Sequence, residues 1–144
     1  MIGIVVTGHG AFASGMVGSF RMIAGNQEHV CELAFEEGEN LQAFDDKIRQ
    51  TVQGAIDKYG QVIVLTDLKG GTPFNHVMLE YSEHPAVKVL AGTNLSMLLE
   101  GAMSALGSDD LEGIVQKMVT IGRESVQDCA LSSESDDTEN GEGI

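Results

Sequence analysis

Basic residues are scarce in this 144-residue chain: eight Lys and Arg stand against 22 Asp and Glu, for a formal charge of -14. That balance argues against a surface for nucleic acid or other polyanions and gives no support to a membrane-surface role. Cysteine is rarer still. Cys31 and Cys129 make neither a disulfide framework nor a metal-ligand spacing, and Cys31, within an expected strand, reads as a small buried hydrophobe. No apolar run exceeds strand length, so neither a membrane span nor direct membrane insertion is expected. The N-terminus lacks the basic region and long apolar stretch of a signal peptide. A cytoplasmic protein is the default. Fingerprints of several enzyme classes are also missing: no GxGxxG follows the first apolar run, and there is no GxxxxGK[ST], HExxH or GxSxG. No metal site and no cofactor are expected.

What is present has an alternating order. Apolar, β-branched runs at residues 2–7, 30–35, 61–66 and 87–91 read as strands, those at 2 and 61 buried on both faces. Between them, residues 13–24 suit a helix. Leu41, Phe44, Ile48, Val52, Ala55 and Ile56 recur at helical intervals, with Asn40 to cap and Gly60 to follow. Pro73 opens a third helix, residues 95–106 a fourth, and Asp109 and Asp110 lead a further helical segment to about Gln127. The resulting β-α-β-α-β-α-β-α-α order predicts one α/β domain over residues 1–130, a three-layer open sheet of parallel strands covered by helices on both faces. Residues 131–144 carry five acids, no base and no aromatic residue, and read as a disordered tail. His29 and His84 precede strands at the opposite edge from the ends discussed next, and read as surface positions.

Two strand ends carry chemistry. The first supplies Thr7-Gly8-His9-Gly10, with Ser14 near the following helix entrance; the third supplies Asp67-Leu68-Lys69-Gly70-Gly71-Thr72-Pro73-Phe74-Asn75. Ligands of open parallel sheets collect at the carboxyl ends of strands. If the first and third strands are neighbours, His9 and Asp67 meet there. A carboxylate on one ring nitrogen fixes the tautomer and raises the basicity of the other. Gly70, Gly71 and Thr72 can form a loop facing negative charge, backed by a helix N-terminus. That arrangement suits reversible capture of a phosphoryl group on nitrogen. Each motif alone has a plainer reading: glycine pairs make turns, and Asp67, Thr72 and Ser14 can cap. Asn75 and His76 lie near the start of the third helix, as supporting groups or as surface. Lys69 stands in the loop, where it can meet an acidic partner or a phosphate.

At His9, Asp67 and Gly70-Gly71-Thr72-Pro73-Phe74-Asn75 the chain resembles the mannose-family IIA component of the bacterial phosphoenolpyruvate-dependent sugar phosphotransferase system (PTS). The resemblance extends over Phe35-Glu36-Glu37-Gly38-Glu39-Asn40, Ala91-Gly92-Thr93-Asn94 and Thr120-Ile121-Gly122-Arg123-Glu124, covering about residues 1–128. It implies a phosphocarrier that accepts a phosphoryl group from HPr on His9, oriented by Asp67, and passes it to a IIB component, with IIC and IID membrane subunits downstream. It implies that Thr72 lies in the active-site loop; beside it, Gly10, Ser14, Gly70 and Gly71 are the candidates to surround the phosphoryl group, and Lys69, Phe74 and Asn75 are candidate partner contacts. It also implies a homodimer with an exchanged antiparallel strand near the C-terminus, a region (about 122–130) that the residue pattern reads instead as helix or helix end. Lys69 and His76 depart from the enterobacterial mannose protein, leaving the sugar and the IIB partner open. Two other readings stand beside it: a phosphotransfer subunit serving dihydroxyacetone kinase, and a non-catalytic regulatory module.

Overall fold

The computed structural model describes residues 1–131. The strands are β1 (Gly3–His9), β2 (Val30–Phe35), β3 (Val62–Thr66) and β4 (Val87–Leu90), and the helices are α1 (Phe12–Ala24), α2 (Leu41–Tyr59), α3 (Thr72–Tyr81), α4 (Leu95–Ala105) and α5 (Leu111–Glu124). The sheet order is β2-β1-β3-β4 and every pair is parallel. The three-layer α/β/α architecture is therefore as expected, and β1 and β3 are neighbours. Parallel pairing demands crossovers, and the intervening helices supply them.

Strand alternation divides the core. Ile4, Val6, Ile63 and Leu65 face one side with Val17 and Phe20 of α1, Leu98 and Ala102 of α4, and Ile114 and Met118 of α5. Val5, Leu33, Val62 and Val64 face the other, against Phe44, Ile48 and Val52 of α2 and Val77 and Tyr81 of α3. Val5, Ile63 and Val64 are fully buried, which explains why their runs show no polar alternation.

The helix ends follow local chemistry. The Asn40 side chain accepts from the Ala43 amide at 3.1 Å, Asn94 from Met97 at 3.1 Å, and Asp110 from Gly113 at 3.0 Å. Gly60, at φ 82, ends α2 as its position suggested. Two expectations need correction. The last helix stops at Glu124, short of Gln127, and residues 126–131 continue without regular structure. His29 is buried, at 3 % exposure, because its Nε2–H donates to the Ala102 carbonyl at 2.8 Å. That carbonyl is among the last four of α4, which have no partner within the helix; another, that of Ala105, accepts from the Ile2 amide at 3.1 Å. The acidic tail, beyond Leu131, lies outside the described residues.

Candidate functional site

The sequence places a carboxyl-end turn after β1 and another after β3, and adjacent pairing of those strands brings them together. Thr7 and Thr66 are register partners, so His9 and Asp67 leave the sheet almost side by side. The Asp67 carboxylate then organises both turns. Its Oδ2 accepts from the His9 amide at 2.9 Å and lies 2.7 Å from His9 Nδ1, while its Oδ1 accepts from the Leu68 amide at 2.8 Å. A carboxylate only accepts, so the ring proton resides on Nδ1 and the lone pair on Nε2. Burial pushes the Asp67 carboxyl up, but hydrogen bonds from the His9 amide, the His9 ring and the Leu68 amide, joined by the ring's charge whenever it is protonated, outweigh it and hold the group below its ordinary value. The His9 side chain is 48 % exposed and Asp67 only 13 %.

Glycine allows this closeness. A Cβ on Gly8 would stand 2.5 Å from the Phe12 ring and 2.9 Å from the Asp67 carboxyl carbon. On Gly71 it would stand 2.8 Å from His9 Cε1 and 3.5 Å from Nε2. Gly71 thus forms one wall of the imidazole. The other is Phe35, the register partner of His9 on β2, whose ring meets the imidazole edge-on at 6.0 Å and 74°. Beside them, Gly10, Glu36, Glu37 and Gly38 complete a shallow hollow of about 220 Å³.

The other expected site residues divide by what their polar atoms already do. Gly10 takes φ 55, and its amide donates to the Phe35 carbonyl at 2.8 Å. The Ser14 hydroxyl donates to the Ala11 carbonyl at 3.1 Å, and the Gly71 amide to Leu68 at 3.1 Å. Gly70 turns the loop at φ 84, and the Asn75 side chain tethers it by donating to the Gly70 carbonyl at 3.0 Å. Thr72 begins α3, Phe74 is half-buried and Lys69 is exposed. Among the described residues no three His, Cys, Asp or Glu side chains converge to hold a metal.

Two contributors escaped the sequence reading as site residues. Phe35 looked like an ordinary strand residue, although its place at the carboxyl end of β2 was a usable signal. Thr93 is 8 % exposed; its hydroxyl and amide both donate to the Thr66 carbonyl, at 2.8 and 3.2 Å, anchoring the strand end that carries Asp67. Helix capping supplies a further contrast. The helices that open beside this site, α1 and α3, have no side-chain cap, whereas α2, α4 and α5 all do. Their first amides have no side-chain acceptor and lie at the positive end of a helix dipole, although Pro73 contributes none to α3.

Comparison with known proteins bears on the family and the fold. Residues 3–119 match the EIIA-man family, described as PTS system fructose IIA component. The fructose-specific EIIA component of Bacillus subtilis (strain 168) is 29 % identical over 140 residues, covering 97 % of this chain and 94 % of that protein. The mannose-specific EIIAB component of Escherichia coli (strain K12) is 31 % identical over 126 residues, covering 88 % of this chain but 39 % of that longer protein. The crystal structure of phosphotransferase system component EIIA from Streptococcus agalactiae superposes with a TM-score of 0.77 at 35 % identity, over 89 % of this chain and 97 % of that one. The chain belongs to the mannose/fructose family of PTS EIIA components, phosphotransferase components that carry phosphoryl groups between HPr and IIB in sugar uptake.

Proposed function

We propose that His9 is the residue that carries the phosphoryl group, with Nε2 as its nucleophile and Asp67 as the group that orients it. The observation carrying this reading is the 2.7 Å contact between Asp67 and Nδ1 on a half-exposed ring, which directs the second nitrogen outward. The Nε2 lone pair attacks phosphorus in line, forming an N–P bond as the donor's P–N bond breaks and its electron pair returns to the donor imidazole. The proton stays on Nδ1, so phospho-His9 is an imidazolium whose charge the Asp67 carboxylate balances. Transfer to IIB reverses these events with the acceptor's nucleophile. The uncapped first turns of α1 and α3 offer amides and dipole ends for the phosphoryl oxygens. Gly10, Gly70 and Gly71 shape that surface, and Ser14 and Thr72 stand at its two helix entrances.

Transfer between two proteins calls for an open surface rather than a deep pocket, and the shallow hollow beside His9 suits it. Lys69, Phe74 and Asn75 fall on the loop and first turn that a partner would meet. A negative chain favours encounter with a basic rim on its partner. In this reading residues 1–130 form the phosphocarrier domain, which works in the cytoplasm as a homodimer upstream of IIC and IID. No helix among the described residues is long and apolar enough to cross a membrane. Incubation with phosphoenolpyruvate, enzyme I and HPr should add one acid-labile phosphoryl mass to the wild type and none to H9A. Absence of the adduct on wild type, or its persistence on H9A, refutes the assignment.

A further inference from the structure

Carriage on His9 leaves unused a second histidine–carboxylate pair. His76 Nδ1–H donates to Asp45 Oδ1 at 2.5 Å, with the two side chains only 18 % and 23 % exposed. Asp45 lies in the early turns of α2 and His76 in those of α3, so the pair joins these helices at the ends nearest the carboxyl edge of the sheet. A second rung, Arg49 Nε to Glu80 Oε1 at 3.2 Å, joins them four residues farther along each helix. That rung is more exposed, at 45 % and 31 %, and exposed pairs hold geometry weakly.

The first rung connects to His9 by two routes. Through aromatic rings, His76 lies 6.2 Å from Phe44, Phe44 lies 4.6 Å from Phe35, and Phe35 lies 6.0 Å from His9. Through α3, His76 follows by five residues Gly71, which forms the opposite wall of the imidazole. Phe35 and Phe44 belong to β2 and α2, while Gly71 and His76 belong to the β3–α3 turn and α3. The two walls of the His9 ring therefore sit on separate parts of the chain, and Asp45–His76 ties those parts together.

We propose that Asp45 and His76 are positioning residues for phosphoryl transfer: their hydrogen bond sets the spacing between the Phe35 and Gly71 walls and so the aim of His9 Nε2. This rests on His9 as the carrier. Groups that support a reacting histidine from outside its direct contacts affect rate through geometry, and small misplacements are costly.

The test uses the full chain with phospho-HPr in rapid-quench transfer assays, together with imidazole nitrogen–proton NMR of His9 and thermal melts. H76A should slow the transfer step at saturating phospho-HPr by about tenfold, with little change in the half-saturating concentration, and should shift the His9 ring signals. H76N should recover most of the rate and the signals, because its amide nitrogen can occupy the place of the imidazole Nδ1. R49A, which breaks the farther rung, should lower the melting temperature while leaving transfer and the His9 signals as in wild type. Wild-type transfer in H76A, or equal loss in H76A and H76N, overturns the positioning role while leaving His9 as carrier. An acid-labile adduct on H9A removes the carrier assignment, and the positioning role falls with it.

Discussion

Replacing Gly71 with alanine isolates the contact between the active-site loop and the imidazole. The backbone there is extended, at φ -73 and ψ 164, so alanine fits without conformational strain. Its methyl group would lie 2.8 Å from His9 Cε1, 3.5 Å from Nε2 and 3.3 Å from the Leu68 carbonyl. Carbon atoms prefer separations of about 3.5–4.0 Å, so the ring must retreat by roughly 0.7–1.2 Å. It cannot do so freely, because Asp67 holds Nδ1 at 2.7 Å. A displacement of about 1 Å from the productive geometry costs on the order of 10²-fold in rate. Stability should change little: the half-exposed ring can yield, and alanine restricts the unfolded chain by about 0.4–1 kcal/mol. Gly70→Ala serves as the opposite case. That position has φ 84 and open space around it, so its cost of about 1–2 kcal/mol is conformational. Rapid-quench transfer from phospho-HPr, thermal melts and His9 ring NMR separate the two. Wild-type transfer by G71A with unshifted ring signals would refute the argument that this glycine positions the nucleophile.

D67N should keep the fold but slow transfer by about 10–100-fold, since an amide can donate to Nδ1 and move the ring proton to Nε2; unchanged stopped-flow rates would defeat the orienting role. The same carboxyl predicts an acid response. Its folded pKa lies below its unfolded one, so it stabilises the fold above about pH 4, and that contribution disappears as pH falls through the depressed value. Urea midpoints measured from pH 7 to pH 3 should therefore fall less steeply in D67N, and parallel acid limbs would contradict this. H29A should lower stability by about 2 kcal/mol or more, because it opens a cavity and orphans the Ala102 carbonyl; an unchanged melting temperature would count against that account.

Much of the scaffold was legible because its signals are local. Asn40, Gly60 and Pro73 mark helix boundaries through backbone chemistry that needs no distant partner. The end of α5 was harder, since apolar periodicity does not say where packing support stops. His29 shows the limit more sharply. A histidine before a strand looks like surface, and nothing local shows that the last turn of α4, 73 residues away, will offer it a carbonyl. Phe35 and Thr93 were missed as site residues for the same reason, their roles being contacts across the sheet edge.

The alternation of strands and helices, the two glycine-bearing turns and the candidate pair His9 and Asp67 are legible along the chain alone. Periodicity, capping and turn chemistry are written along the chain at short range. Tertiary structure decided that β1 and β3 are neighbours, that Asp67 engages Nδ1 rather than Nε2, and that Phe35 and Gly71 wall the ring. Those facts depend on strand register and on the angles at which side chains meet, and both arise only when the sheet assembles.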